Sequence, residues 1–194
     1  MGTRNLTCVV RDGEFVVAQY GQWDGYPSGQ GATVLSFLQT TDWNEFVKRL
    51  DQVRWLTEEE VEKINSEIDE QTEGKALPDL YPWLSRDAGA DVLSYIGNLS
   101  EGEELALRDA HAFAGDSLFC EWAYVIDVNN AELSVYRGFN QDPEADNGIF
   151  ANFDDLEDSE SYEPVRLVAT YNVTQLPSLE DFIAELDPPE EDDE

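Results

Sequence analysis

Two β-hairpin patterns, one near each end of the chain, constrain the fold most strongly. In the first, residues 3–10 and 14–20 are rich in β-branched and aromatic side chains, and Arg11-Asp12-Gly13 separates them. Two runs of this kind joined by an Asp-Gly pair are typical of a tight turn between antiparallel strands. We therefore predict a hairpin near the N-terminus.

The second hairpin pattern lies in the C-terminal half of the chain. Residues 118–127 and 132–139 are again rich in strand-forming side chains, and Asn129 and Asn130 stand between them. Asparagine favours turns, so this pair marks the point where the chain reverses. Residues 165–171 form one further run, and the sequence thus predicts five main strands.

Helical patterns fill the middle of the chain and return near its end. The predicted helices are 33–38, a segment capped by Thr41 or Asp42, 57–68 with a capping box, 86–96 behind the cap Ser85, and a short helix capped by Ser178 that ends at Leu186. Polar residues 69–82 and acidic residues 140–163 are predicted as loops. We expect an α+β fold, in which helices cover one face of an antiparallel sheet of about five strands, with four or five helices in all.

The length of 194 residues suffices for one hydrophobic core. We predict a single globular domain over residues 1–186 and a disordered acidic tail over 187–194. The sequence contains neither a cationic start followed by an apolar stretch nor an apolar run long enough to span a membrane. We therefore expect a cytoplasmic protein without membrane contact.

Acidic side chains dominate the charge. The chain has 43 acidic and 11 basic residues, a net charge of −32, and residues 51–194 hold 38 of the acidic residues but seven of the basic ones. A field of this sign repels phosphate backbones and anionic membranes. We expect no direct binding to nucleic acid and favour a basic partner protein.

Three explanations for the acidity stay open at this point. It can serve solubility or reflect an acidic proteome, and the three lysines against eight arginines fit that explanation. It can also imitate nucleic acid and occupy the basic groove of a nucleic-acid-binding protein. Part of it belongs in any case to the predicted tail.

The stretch YGQWDGYPSGQG, residues 20–31, is the most unusual local motif. Gly25, Gly29 and Gly31 allow a tight chain path, and the loop leads into a predicted helix whose first amides can face an anion. The glycine spacing matches neither a Walker loop nor the dinucleotide fingerprint. The alternative is a structural turn in which Trp23 and Tyr26 pack over the edge of the sheet.

The start MGTRNLTCVV, together with this loop, resembles a family of bacteriophage and bacterial proteins. Its members begin Met-Gly-Thr-Arg and carry a Tyr-x-x-(Trp/Phe)-Asp-Gly-Tyr-Pro-x-Gly loop after the first hairpin. The segments LSRDAGADVLSYI and DSLFCEWAYVID are similar to its longer members, so the resemblance extends to about residue 183. It carries no activity over to this chain, but it implies a phage or mobile-element setting, in which small accessory proteins act on host machinery.

Several polar and aromatic residues in these segments are candidates for ligand binding. They are Arg4, Gln22, Trp23, Asp24, Tyr26, Arg86, Asp87 and Glu121. Arginine holds anionic groups, a carboxylate accepts hydrogen bonds from a base or activates water, and aromatic rings stack on nucleobases. Simpler alternatives are a local ion pair between Arg86 and Asp87 and a solvent-facing Glu121.

Residues of the usual catalytic sets are scarce. His111 is the sole histidine, and Cys8 and Cys120 each lie in an apolar run. A lone histidine is more often structural than catalytic, and apolar surroundings raise the pKa of a thiol. We expect buried, reduced cysteines and assign no catalytic residue, no metal ligand and no cofactor; a non-enzymatic role is favoured.

Two functional hypotheses follow. The first is a phage-type accessory protein that binds a basic or nucleic-acid-binding host protein through its acidic surface, as an inhibitor or a nucleic-acid mimic. The alternative is a small-molecule or nucleotide-binding protein, or a hydrolase, with a pocket formed by the Asp24 loop, Arg86 and Glu121. Clustering of these groups in a concave pocket would favour the alternative. The sequence does not determine the oligomeric state.

Overall fold

Both hairpins lie side by side in one five-stranded sheet. A computed structural model describes residues 2–70, 81–152 and 162–188. The strands of the sheet are β1 (Asn5–Arg11), β2 (Glu14–Gly21), β5 (Trp122–Asp127), β6 (Glu132–Arg137) and β7 (Arg166–Asn172). Their order across the sheet is β2, β1, β5, β6, β7. The predicted α+β fold, built from an N-terminal and a C-terminal hairpin, is confirmed.

The turns of the two hairpins meet at one end of the sheet. Asp12 and Gly13 have φ values of 55° and 81°, the left-handed backbone that a tight turn with two positive φ angles requires. The Asn129 side-chain amide nitrogen donates to Asp12 Oδ1 at 2.9 Å, and Asn129 Oδ1 accepts from the Asp12 backbone N–H at 2.7 Å. These bonds hold the hairpins in a common orientation.

The contact between the hairpins is parallel. β1 pairs with β5 from Asn5 opposite Trp122 to Val10 opposite Asp127, whereas the other three strand pairs are antiparallel. The sheet is therefore mixed, although the sequence predicted an antiparallel one. A hairpin signal specifies pairing only within its own hairpin. The first six residues of β1 are buried, as is typical of a central strand covered on both faces.

Five α-helices are present in the described residues. They are α1 (Ala32–Thr40), α2 (Trp43–Arg49), α3 (Glu58–Glu70), α4 (Val92–Gly97) and α5 (Leu179–Leu186). The Asp42 carboxylate and the Ser178 hydroxyl each accept a hydrogen bond from the third residue that follows. Thr57 and Glu60 form the predicted capping box at the start of α3. Local capping signals thus located three of these helix starts correctly.

The two faces of the sheet are covered differently. Helices pack on one face, and the buried core there includes Val9, Leu35, Leu93, Tyr124, Ile126, Leu133 and Phe182. Short turns cover the other face, where Phe150 and Val165 are fully buried beside Cys8 and Cys120. Phe150 lies in the segment 140–163 that was predicted as an acidic loop, so this segment also supplies a core side chain. Residues 153–161 of that segment lie outside the described residues.

The predicted helix over 86–96 is wrong in its first half, because α4 begins only at Val92. Gly89 has a φ of 46°, which a continuous α-helix does not allow. A Cβ on Gly89 would lie 2.5 Å from Gln30 Oε1, and that oxygen accepts a hydrogen bond from the Ala90 N–H at 2.7 Å. Residues 85–91, of which Gly89–Asp91 form a 3₁₀-helix, therefore pack as a turn against the Gly-rich loop.

A second, two-stranded sheet was not predicted. β3 (Val53–Trp55) pairs in parallel with β4 (Leu105–Leu107). Strands of three residues are too short to show an alternating pattern. The helix α3, which follows β3, continues two residues past Ile68 into the predicted loop 69–82, and residues 71–80 of that loop lie outside the described residues.

Several sequence predictions concern the ends of the chain and the membrane. Of the predicted tail over 187–194, the structure describes residues 187 and 188, and residues 189–194 lie outside the described residues. The division into a domain over 1–186 and a tail stays a prediction. Within the described ranges no helix is long and apolar enough to cross a membrane.

Candidate functional site

The Gly-rich loop at residues 20–31 is a closely packed corner of the sheet. A Cβ on Gly29 would lie 2.2 Å from the Asp24 carbonyl oxygen, and one on Gly31 would lie 2.8 Å from the Tyr124 hydroxyl. That hydroxyl, fully buried on β5, donates a hydrogen bond to the Gly25 carbonyl at 2.8 Å. The glycines thus permit a close approach between the loop and β5.

The backbone amides that a bound anion would need are used by the loop itself. The Gln30 N–H donates to the Asp24 carbonyl at 2.7 Å. The N–H groups of Gly29 and Gly31 both donate to the Tyr26 carbonyl, at 3.0 and 3.2 Å. These three bonds give no support to anion binding at the start of α1.

Four of the predicted ligand-binding residues connect the loop to the turn at 85–91. Trp23 Nε1 donates to Asp87 Oδ1 at 2.8 Å. The Gln22 backbone N–H donates to the Arg86 carbonyl at 2.8 Å, and Gln22 Oε1 accepts from the Tyr20 hydroxyl at 2.6 Å. The structure therefore brings these residues together, and their mutual hydrogen bonds join two segments of the chain.

The other four predicted residues divide into a pair and two exposed side chains. The Arg4 backbone N–H donates to Glu121 Oε1 at 3.2 Å, and Arg4 Nε lies 4.0 Å from the same oxygen. The Arg4 guanidinium also lies over the Phe119 ring, 4.6 Å from its centroid. Asp24 and Tyr26 are exposed on the loop.

An arginine-lined pocket of about 200 Å³ lies beside Tyr20. Its lining residues are Gln19, Tyr20, Leu84, Arg86, Arg108, Asp109 and Ala110. Arg108 Nη2 donates to Asn65 Oδ1 at 3.1 Å, but its buried Nε has no hydrogen-bond partner among the described residues. Burial raises the pKa of Tyr20. The positive charges of Arg4 and Arg86 partly counteract this increase. Of the predicted pocket, Arg86 and the first residue of the loop, Tyr20, line this one, whereas Asp24 and Glu121 do not.

A larger groove of about 590 Å³ opens where α4 meets the segment that leads into β4. We call it the Trp83 groove. Its lining residues are Trp83, Asp91, Ser94, Tyr95, Asn98, Leu99, Glu103, Glu104 and Leu105. It combines aromatic and aliphatic surface with three carboxylates, and none of these residues was predicted as a site residue.

Aromatic rings form one wall of the Trp83 groove. The Trp83 and Tyr95 ring centroids lie 6.3 Å apart with an interplanar angle of 64°, and Tyr81 meets Trp83 from another side at 6.0 Å and 87°. Trp83 packs against the main core, whereas the Tyr95 side chain is 36% exposed. The faces of such rings attract cations.

The carboxylates of the groove are largely free of cations. Glu103 Oε2 accepts a hydrogen bond from the Ser100 backbone N–H at 2.7 Å. Glu104 Oε2 lies 3.3 Å from Arg54 Nε. Asp91 is exposed, and its carboxylate has no ion pair or hydrogen bond within the part of the chain that the structure describes. The groove therefore has a negative rim with little internal neutralisation.

The guanidinium that pairs with the rim carboxylate Glu104 belongs to Arg54, and it is shared with a second carboxylate. Arg54 contacts Glu104 and also pairs with Glu60 at 2.7 Å. Hydrogen bonds from Arg54 and then from Thr57 lower the pKa of Glu60 to about 2. Glu104 and Trp83 further line a neighbouring pocket of about 210 Å³, so the acidic and aromatic surface continues past the groove.

The histidine and the cysteines have structural surroundings. His111 Nδ1 lies 2.5 Å from Asp109 Oδ1, and its ring stacks on Phe15 with centroids 5.1 Å apart. Cys8 and Cys120 are free and fully buried, as predicted, and burial raises the pKa of both thiols. No group of three or more His, Cys, Asp or Glu side chains within the described ranges is arranged to hold a metal ion.

Comparisons with protein-family models, with curated proteins and with solved structures returned no match. The resemblance to bacteriophage and bacterial proteins therefore stays a prediction. Function has to be inferred from the geometry of this chain alone.

Sequence reasoning missed the Trp83 groove because its residues come from separate segments. Trp83 precedes the turn at 85–91, Tyr95 lies on α4, and Glu103 precedes β4. None of these three residues belongs to a local sequence motif that would mark it as a binding residue. The available signal was the presence of Tyr81, Trp83 and Tyr95 within a strongly acidic part of the chain.

Proposed function

We propose that the protein is a binding protein that holds a basic partner through an acidic surface centred on the Trp83 groove. The observation that carries the proposal is the weak neutralisation of the groove's carboxylates, with Asp91 unpaired among the described residues and Glu103 bonded to a backbone amide. In the described ranges six ion pairs join carboxylates to arginine or lysine side chains. The full chain has a net charge of −32. Its negative field is thus available to attract a cationic surface.

The nature of the partner rests on two further arguments. A surface of this sign fits a nucleic-acid-binding protein, whose own surface is basic. The placement of that partner in a bacterial host rests on the family resemblance alone. The same field opposes direct contact with nucleic acid or an anionic membrane.

Binding of a labelled hexa-arginine peptide tests the proposal. We expect saturable binding at about 0.02 M NaCl and at least about tenfold weaker binding at about 0.2 M, because salt screens exposed charges. A hexa-glutamate peptide and a DNA duplex, measured in the same way, should not bind. Absence of hexa-arginine binding, or an affinity that salt leaves unchanged, would contradict the proposal.

Competition separates imitation of nucleic acid from simple charge attraction. A mimic should displace a DNA duplex from a basic DNA-binding domain more effectively than polyglutamate does at an equal concentration of carboxylates. Equal displacement by the two would reject mimicry and leave the binding of a basic partner intact.

A second candidate function is the binding of a small anion in the arginine-lined pocket. The observation in its favour is the buried Arg108 Nε without a partner among the described residues, close to the exposed Arg86. Inorganic phosphate or ATP should then raise the melting temperature, and Arg86→Gln should abolish the increase. An unchanged melting temperature with both ligands would reject this candidate.

A further inference from the structure

We infer that the Trp83 groove receives the guanidinium group of an arginine side chain from the partner. This inference rests on the proposed function, and it specifies which chemical group is recognised and where. The groove combines an aromatic wall with a carboxylate rim, and these two features attract a planar cation in different ways.

The aromatic wall supplies the first attraction. Trp83 and Tyr95 meet edge to face at 64° with centroids 6.3 Å apart, and both residues line the groove. A cation within about 6 Å of an aromatic ring centroid is attracted by the negative face of the ring. Because Tyr95 is exposed while Trp83 packs on the core, the wall is open to solvent but has a fixed base.

The carboxylate rim supplies the second attraction. Asp91, Glu103 and Glu104 all line the same groove. A guanidinium carries five N–H donors and can bond a carboxylate through two of them at once. The Asp91 carboxylate has no competing partner among the described residues, so both of its oxygens are available to an incoming arginine.

The shape of the groove favours arginine over lysine. A volume of about 590 Å³ falls within the usual range of ligand pockets and leaves space for a long side chain. The guanidinium is planar and weakly hydrated, so it stacks on an aromatic face more readily than the compact ammonium group of lysine. A hexa-lysine peptide should therefore bind more weakly than hexa-arginine.

The Gly-rich loop provides an internal control for this inference. Trp23 is also exposed beside a carboxylate, but its own Nε1 donates to Asp87 at 2.8 Å. Tyr26 on the same loop is 47% exposed, which is comparable to Tyr95. A cation attracted merely to exposed aromatic residues in an acidic protein would not distinguish these two places.

Two matched variants test the inference with the full chain and the hexa-arginine peptide. Tyr95→Ala should weaken binding about three- to tenfold through loss of the cation–π contact, whereas Tyr26→Ala should leave the affinity unchanged. Thermal unfolding of both variants checks that they are folded, and Tyr95→Leu serves as a second, bulkier replacement that also lacks the aromatic face.

Fluorine NMR of the wild-type chain labelled with 5-fluorotryptophan locates the contact directly. The Trp83 resonance should shift and saturate with the peptide, while the Trp23 resonance should not. If the peptide binds but the Trp23 resonance shifts instead, or if the two tyrosine variants bind equally well, the groove inference fails. The placement of the acidic surface at the Trp83 groove fails with it, whereas the binding of a basic partner survives. If no peptide binds, the proposed function itself fails.

Discussion

The Gly-rich loop and the Trp83 groove both place a tryptophan near an aspartate, and they differ in what the aspartate contacts. At the loop, Trp23 donates a hydrogen bond at 2.8 Å to Asp87 of the adjoining turn at 85–91. In the groove, Asp91 has no such bond among the described residues, and the neighbouring Trp83 is held by the core and by other aromatic rings. The more conspicuous motif satisfies its own polar groups, whereas the less conspicuous region leaves them available for a partner.

This comparison separates stability from binding. Residues of the loop fix the corner where β1, β5 and the turn at 85–91 meet, so their replacement should destabilise the fold. Carboxylates of the groove contribute few internal contacts, so their replacement should alter binding with little effect on stability.

The largest expected effect comes from Gly29→Ala. The added Cβ would lie 2.2 Å from the Asp24 carbonyl oxygen, so the loop has to shift. We expect the free energy of unfolding to fall by about 2–4 kcal/mol, measured by urea denaturation. The exposed neighbour Ser28→Ala should change it by less than about 0.5 kcal/mol. Equal stabilities of the two variants would show that the loop does not fix the corner.

Tyr124→Phe tests the bond between the loop and β5 with a smaller expected effect. The change leaves the Gly25 carbonyl without its 2.8 Å donor in a buried place. The free energy of unfolding should fall by about 1–2 kcal/mol. Tyr26→Phe, at an exposed site, is the control and should be neutral. A neutral Tyr124→Phe would mean that the hydroxyl contributes nothing to the corner.

Asp91→Asn in the groove and Asp87→Asn beside the Gly-rich loop form a matched pair of variants, because each removes one negative charge. A difference in their binding therefore reports the position of the charge. We expect Asp91→Asn to weaken hexa-arginine binding about two- to fivefold, the usual effect of one exposed ion pair. Asp87→Asn should change the affinity by less, and both variants should keep most of their stability. Equal losses of affinity would indicate attraction to the overall charge rather than to the groove.

The smallest effect concerns Glu60 and its dependence on pH. Arg54 lowers the pKa of Glu60 from 4.5 to about 2 in the folded protein. A carboxylate with a lowered pKa stabilises the fold above its unfolded pKa, and the contribution disappears as the pH falls towards 2. Glu60→Gln should lower the melting temperature by about 1–2 °C at pH 7.

Melting curves between pH 7 and pH 2 test whether the stabilisation by Glu60 decreases as the pH falls. The difference between wild type and Glu60→Gln should shrink as the solution becomes acidic. Glu59→Gln on the same helix lacks a described ion pair and should show no such convergence. A difference that is constant with pH would contradict the role assigned to the Arg54 pair.

Local signals predicted much of the fold. The Asp12-Gly13 turn, the Asp42 and Ser178 caps and the capping box at Thr57 depend on neighbouring residues, and the structure has all of them. The parallel contact of β1 with β5 and the turn at Gly89 depend on residues distant in sequence. A pattern of neighbouring residues does not indicate which distant residues they will contact.

The candidate sites divide in the same way. The predicted site residues meet only in separate groups: Trp23 contacts Asp87 and Arg4 contacts Glu121, whereas Asp24 and Tyr26 are exposed. Whether they bind a ligand stays a prediction. The Trp83 groove could not be predicted, because it depends on how α4 and the small β3–β4 sheet pack, and two strands of three residues leave no periodic pattern.

The most direct measurement compares the hexa-arginine affinity of two variants that each lose three negative charges. The groove variant carries Asp91→Asn, Glu103→Gln and Glu104→Gln. The control variant carries Glu14→Gln, Glu144→Gln and Glu180→Gln, at exposed carboxylates without a described partner. We predict binding about tenfold weaker for the groove variant and less than about twofold weaker for the control. Equal affinities would contradict the account, because they would show that the charge attracts the peptide wherever it lies.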